Sequence, residues 1–402
     1  MNTLNRRIVS VDLLRGIVMI IMLLDHTREY VNADAFLFSP TELSKTTAAL
    51  FFTRWITHFC APTFVFLSGV SIYLQQQRGK TGGALTKFLL TRGLWLIVLE
   101  FTIVRFAIFF GLDYSLLGIA EVIWIFGVSM IMMAALVRLP PWVSAAFGLL
   151  LICGHNILDR IGPAPSMGAG DVSAGQAIWT ILHQPGFIPL LGGVTNVFVA
   201  YPLIPWVGVM AAGYALGAVY GWDDRRRRKT LLAIGVAATV AFVVLRAVNV
   251  YGDPSPWKYQ TSAGFTFLSF LNTTKYPVSL MFVLMTLGPA LTFLSLADRL
   301  DGKSLFSRVA LTYGRVPLFY FILQMVVAHL SGVILGYLAG FDVSFWFTNY
   351  PFSETVKAPE GFGFSLATTY AAWIIGLIVL YPICAWYARV KRESGHWLFS
   401  YM

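Results

Sequence analysis

Apolar residues fill this chain in long stretches, each interrupted by a short polar segment. Runs such as Gly16 to Leu24 or Ala367 to Cys384 do not alternate at every second position, as the strands of a membrane barrel would, so each stretch predicts a helix. At 1.5 Å rise per residue, about 20 residues cross a hydrocarbon layer roughly 30 Å thick. About ten spans are predicted, over residues 9–31, 50–74, 90–112, 116–137, 141–156, 196–220, 230–250, 276–297, 312–336 and 366–388. The fifth is short and contains Gly148 and Gly154, which favours a tilted helix or a locally thin region packed on its neighbours. Gln176 to Leu191 is apolar but short and holds His183, Pro185 and Gly186; it reads as an interfacial or re-entrant segment. The fold class expected is an all-α, polytopic transmembrane helix bundle forming a single domain over residues 1–402.

The loops give this bundle an orientation. One side receives Arg6 and Arg7, then Arg78, Lys80, Lys87 and Arg92, Arg138, Arg225 to Arg228 with Lys229, Arg299, Lys303 and Arg308, and finally Arg389, Lys391 and Arg392. The other receives the longer loops 32–49, 157–195, 251–275 and 337–365, where Asp34, Glu42, Asp159, Asp171, Asp253, Asp342, Glu354 and Glu360 offset the few cations. Retention of positive charge on the cytoplasmic side predicts that both termini are cytoplasmic. The long outer loops are rich in Gly, Pro and aromatics, as in Tyr251 to Trp257, a composition of ordered rather than linker-like segments.

Composition agrees with the pattern. Of 402 residues, 57% are apolar and 12% charged, against about 25% charged in soluble domains, so no soluble domain of useful size is expected. The net charge of +10 sits between hydrophobic spans and reads as a topology signal rather than as a nucleic-acid surface. The first apolar run is broken by Asp12 and Arg15 and ends in Asp25-His26-Thr27-Arg28 without a cleavage pattern, so it reads as a retained span and not as a signal peptide. Cys60, Cys153 and Cys384 are too few for a disulfide framework. The expected location is the inner (cytoplasmic) membrane, as a multi-pass protein.

Charge at membrane depth is costly and marks function by default. Asp12 and Arg15 sit three apart on one face near the inner end of the first span, where they form either a structural ion pair or part of a site. Asp25 and His26 fall near its outer end. Asp25 shares a face with Arg28 and Glu29, and His26 with Tyr30, whereas Asp25 and His26 themselves point about 100° apart. In the second span Arg54 and His58 face together at the same depth, and Pro62 frees the carbonyl of His58 and predicts a kink there. Five of the six histidines, His26, His58, His155, His183 and His329, fall on the outer half, and His396 falls inside. Imidazole exchanges protons near neutrality, as acyl transfer to a hydroxyl or amine requires. His155 and His183 read as satisfied interfacial residues. No His-x3-His or acidic cluster stands at metal spacing, so no metal is expected.

Arg7 to Gly16 followed by Leu23-Leu24-Asp25-His26, together with Thr57 to Val70 and its phenylalanine-rich run ending in Ser68-Gly69, resembles the opening two spans of the heparan-alpha-glucosaminide N-acetyltransferase family, particularly its smaller bacterial members. The resemblance implies a transmembrane acyltransferase that takes an acetyl or other acyl group from cytoplasmic acyl-coenzyme A and delivers it to a sugar amine or hydroxyl on the far side. His26 is also similar in position to the histidine near the end of the first span in bacterial membrane acetylases of surface polysaccharides. The lysosomal enzyme has asparagine where this chain has Asp25 or His26, and its active histidine lies in the following loop. Residues 31–49 here contain no histidine, which leaves the role to His26 or His58.

With that chemistry in view, His26 is the candidate proton-transfer residue, with Asp25 and His58 in support. Arg15 and Arg315 are the candidates for the phosphates of coenzyme A, because both lie at or inside spans and arginine matches phosphate oxygens with a fork of donors. Gly314, Arg315 and Pro317 predict a broken helix entrance with free backbone donors. Arg28, Arg54 and Asn196 are the candidate donors to the acceptor or to a tetrahedral oxyanion. Expected partners are membrane lipid and a carbohydrate acceptor, with a homodimer left open and nucleic acid excluded. A secondary transporter is the rival reading, but the two halves show no sequence echo; a non-catalytic scaffold would need no polar groups at depth.

Overall fold

The computed structural model describes residues 8–163, 172–300, 302–353 and 355–394; Arg6, Arg7, Asp171, Glu354 and His396 lie outside them. The first helix, α1 (Val9–Val31), spans the predicted range. It is followed by α2 (Ala48–Thr57) and α3 (Cys60–Gln77), which make one span broken at His58 and Phe59, one turn before Pro62. Next come α4 (Gly82–Leu99) and α5 (Arg105–Phe109), joined through a π-helical turn at Glu100–Val104, then β1 (Leu116–Ala120), α6 (Val122–Leu136) and α7 (Pro141–Gly154). The middle of the chain holds α8 (Ala174–Leu182), β2 (Gly186–Leu190), β3 (Thr195–Val199) and α9 (Leu203–Leu216). The remainder is α10 (Asp224–Val248), α11 (Ala263–Leu271), α12 (Leu280–Ala297), α13 (Leu305–Gly314), α14 (Pro317–Leu338) and α15 (Leu366–Ser394).

Local sequence sets these boundaries. Thr47, Ser173, Asp223, Ser262, Ser279 and Ser304 each accept a backbone N–H two or three residues into the helix that follows, satisfying donors that a helix N-terminus otherwise leaves orphaned. At α6 that task falls to a residue from another helix: the buried Glu100 carboxylate accepts the N–H of Trp124 at 2.7 Å.

Among the described residues, seven helical stretches are long and apolar enough to cross a membrane, covering α2–α3, α7, α9, α10, α12, α14 and α15. α1 is as long but carries Asp12, Arg15, Asp25, Arg28 and Glu29, and it is central: it packs on α2, α3, α12, α13, α14 and α15, which is how a charged helix avoids lipid. Its approach to α13 is very close. A Cβ at Gly16 would lie 1.8 Å from the carbonyl oxygen of Ala310, and one at Gly314 2.1 Å from that of Asp12. Lipid-facing apolar rows lie instead on α10, at Val236, Val240 and Val244, and on α15, at Ile374, Ile375 and Ile378, all of them exposed.

The architecture is the expected all-α, multi-span bundle, with one small three-stranded sheet added to it among the described residues. Its order is β1-β3-β2, with β1 parallel and β2 antiparallel to β3. The fourth and sixth apolar stretches therefore enter helix at Val122 and Leu203 rather than at 116 and 196. The segment read as interfacial or re-entrant is a short helix followed by a strand. Because β1 and β3 run the same way, both end at the same edge, where the N–H groups of Ala200 and Tyr201 reach the carbonyl of Ala120, each at 3.2 Å.

Two buried arginines order the outer loops. Arg105 donates to the carbonyls of Gly111 and Leu116 and to the side chain of Asn349. Arg246 donates to the carbonyls of Ser255, Ser269, Phe270 and Asn272 and lies 3.5 Å from Asp253. These bonds satisfy carbonyls in the loops, at the start of β1 and in the last turn of α11.

Candidate active site

The outer end of α1 carries a continuous ionic chain. Arg54, from α2, donates to one oxygen of Asp25, while Arg28 donates to the other at 3.1 Å. Arg28 also reaches Glu29 Oε1 at 3.3 Å, and Glu29 Oε2 lies 3.3 Å from His26 Nδ1. The members differ in access. Asp25 and Arg28 are buried, whereas His26 is half-buried and the Glu29 side chain is 45% exposed. With Nδ1 donating to the Glu29 carboxylate, Nε2 carries the lone pair and is the basic nitrogen of the ring.

Groups from distant parts of the chain complete this end. The edge of the sheet presents Glu121 and Tyr201, and the carboxylates whose fields act on His26 are those of Glu29, Asp25 and Glu121. Lys275 stands over the rings of Tyr201 and Tyr276, 5.7 Å and 5.1 Å from their centroids. His58 is buried at the helix break, with its ring 5.1 Å from that of Phe282 and with Arg54, Lys275, Asp25 and Arg28 as its charged neighbours.

A cavity of about 1250 Å³ opens at the other end of α1. Among the described residues its wall holds nine cations, Arg15, Arg78, Lys80, Arg92, Arg308, Arg315, Arg389, Lys391 and Arg392, against one carboxylate, Asp12. Above this basic mouth the lining turns apolar, with Met19, Met22, Phe64, Ile123, Phe126 and Met130. Met22 is one turn below His26 on the same helix face, and Val122, also in the lining, adjoins Glu121. The lining thus runs from a polycationic rim to Met22 and Val122, one turn before His26 and next to Glu121 along the chain. The helix break between α13 and α14 places Arg315 in its wall.

The family model for the catalytic region of heparan-alpha-glucosaminide N-acetyltransferase matches residues 7–254, more than half of the chain. The chain belongs to that family. No curated protein matches it. As a member of the heparan-alpha-glucosaminide N-acetyltransferase family it is a polytopic membrane acyltransferase that uses an acyl-coenzyme A donor to modify a carbohydrate. The match ends before α12, so Lys275, Tyr276 and Arg315 come from beyond the family-matched region.

The structure distributes the sequence-derived candidates of this acetyltransferase as follows. Asp25, His26, Arg28 and Arg54 lie together, with His58 in their electrostatic neighbourhood. Glu29, not Asp25, is the hydrogen-bond partner of His26, and Asp25 is committed to two arginines. Arg15 and Arg315 both line the cavity; Arg15 donates to Asp12 at 3.1 Å and to Ser71 at 2.9 Å, so the structural pair and the cavity-lining position coexist. Asn196 does not join the outer group: it sits in the central strand opposite Leu116 and Pro189, five residues before Tyr201 and so roughly 16 Å away along extended chain. His329 is held in the aromatic core, stacked between Phe110 and Tyr30 at 3.9 Å and 4.6 Å. Helix spacing placed Glu29 on the face of Asp25, and it stands equally three residues after His26. Glu121, Tyr201 and Lys275 are not singled out by any spacing and come to this end only through tertiary contacts.

Proposed function

We propose that acyl-coenzyme A enters the basic cavity from the cytoplasm and that its acyl group is passed to a sugar amine or hydroxyl at the outer end of α1, with His26 as the general base. The observation that carries this reading is the continuity of the cavity from nine cations to the residues directly beneath His26. Guanidinium groups at the rim suit the phosphates of the donor, and the apolar shaft suits a long uncharged arm. The thioester supplies the activated acyl group. His26 Nε2 takes the proton of the acceptor as the acceptor's nitrogen or oxygen bonds to the acyl carbon, and the carbon–sulfur bond breaks to release the coenzyme A thiolate. Glu29 holds the imidazole in the tautomer this requires. Arg28 and Arg54 are already engaged by Asp25 and act as positioning residues, which leaves Lys275 as the cation for the developing oxyanion.

In this reading the chain crosses the inner membrane about ten times with both termini cytoplasmic. Labelling of cysteines introduced at positions 225–229 is expected only from the cytoplasmic side; labelling from outside overturns the topology. The chemical test uses purified protein with labelled acetyl-coenzyme A and a glucosamine-type acceptor. His26→Gln is expected to lower turnover by about 10² to 10⁴-fold while donor binding persists. Near-normal turnover in the folded variant removes His26 as the base.

A further inference from the structure

We propose that His155, Asp159 and His183 form a binding site for a divalent transition metal of the zinc class in the outer loops, separate from the acyl-transfer site. α7 continues as a 3-10 turn over His155–Arg160, which sets His155 and Asp159 close together, and His183 arrives from the C-terminus of α8. One ligand atom from each lies within 4.8 Å of the others. Two imidazoles and a carboxylate are a zinc-type donor set, too rich in nitrogen for magnesium or calcium. Tetrahedral zinc ligands stand roughly 3.4 Å apart, and His183 Nε2 already stands 3.0 Å from Asp159 Oδ1.

Burial and hydrogen bonding point to a ligand independently of the spacing. His155 is 2% exposed and His183 fully buried, yet neither ring nitrogen of His155, nor Nδ1 of His183, has a hydrogen-bond partner among the described residues. An imidazole enclosed with both nitrogens unsatisfied is costly, and this overturns the sequence-based expectation of a satisfied interfacial histidine. His183 Nε2 lies 3.0 Å from Asp159 Oδ1, and the second carboxylate oxygen accepts from Asn156 at 2.8 Å. Asn156 in turn accepts the N–H of Leu280 at 2.9 Å. Such outer partners orient the ligands of a metal centre. The site ties the end of α7 to the segment entering β2, and through the sheet it supports the edge that presents Glu121.

The test uses full-length purified protein stripped with a chelator and then supplied with Co²⁺ or Zn²⁺. Expected are a visible ligand-field absorption of tetrahedral cobalt in the wild type, one zinc per chain by elemental analysis, and a higher Tm with zinc than in chelator. His155→Leu, which replaces an unsatisfied buried ring with an apolar side chain, is expected to lose the metal and its effect on Tm. Should that variant fail to fold, Asp159→Asn is read the same way. Absence of cobalt absorption and bound zinc in the wild type overturns the proposal whatever the variants do, as does equal zinc content in wild type and a folded variant. That outcome would leave the three side chains as a packed polar cluster only. Acyl transfer is not the readout, so failure here is distinct from failure of His26 as base.

Discussion

The two ends of α1 handle charge in opposite ways. At the inner end nine cations and one carboxylate line the cavity among the described residues, a large excess of one sign. At the outer end charges alternate along Arg54, Asp25, Arg28 and Glu29, which ends on the His26 ring, and most of this ionic chain is closed to solvent. One arrangement attracts; the other fixes geometry. In the proposed mechanism, preorganisation suits the end where bonds change, because a base held in place need not reorganise during the reaction, while an excess of one sign suits the end where a charged donor is gathered from solution.

Breaking the outer chain is expected to have the larger effect. Asp25→Ala leaves Arg28 and Arg54 without their shared counter-ion, and removal of one partner from a buried ionic group costs about 3 to 5 kcal/mol. Thermal unfolding of the purified variant reads this directly; an unchanged Tm would mean that the outer arginines do not depend on Asp25. At the inner end, Arg15→Ala and Arg315→Ala are each expected to weaken donor binding by about 1.5 to 3 kcal/mol, the value of a charge-assisted contact. Calorimetric titration with a non-transferable donor analogue checks this. An unchanged affinity for folded Arg15→Ala would return that residue to its pair with Asp12.

A third, smaller effect separates the two ends without mutation. Raising the ionic strength from about 0.1 M to 1 M shortens the screening length from about 10 Å to 3 Å. Donor affinity should fall several-fold, because the rim is open to salt, while the buried outer pairs and hence the Tm change little. Equal sensitivity of both would contradict the contrast.

Much of this architecture was legible in the sequence because membrane crossing demands long apolar stretches, and α1 follows its predicted range. The break at His58 follows from Pro62, and the break at Arg315 from Gly314 and Pro317, since both rest on local backbone chemistry. The sheet escaped for an equally local reason. Leu116 to Ala120 is a five-residue apolar run and Thr195 to Val199 a five-residue stretch with three apolar residues, each shortly before an apolar helix, and periodicity cannot separate a strand of that length from the first turns of a helix. Asn196 was misplaced as a consequence. In the site, the side chains on α1 and α2 could be gathered from helical spacing, but Glu121, Tyr201 and Lys275 belong to segments whose meeting depends on strand pairing and on loops held by buried arginines. His155 and His183 likewise come from separate segments, so no spacing rule joins them.

The contact of Gly16 with Ala310, and of Gly314 with Asp12, bears on how the protein is made. α1 is made well before α13, so the wall they share, with Arg15 and Arg315 on it, closes only after the helices between them are in place. Contacts between segments so distant in sequence are slow to form, and partly assembled membrane chains expose surfaces that misassemble. The cavity is therefore completed only once α13 has joined α1, and a nascent chain released before α13 lacks one wall of it.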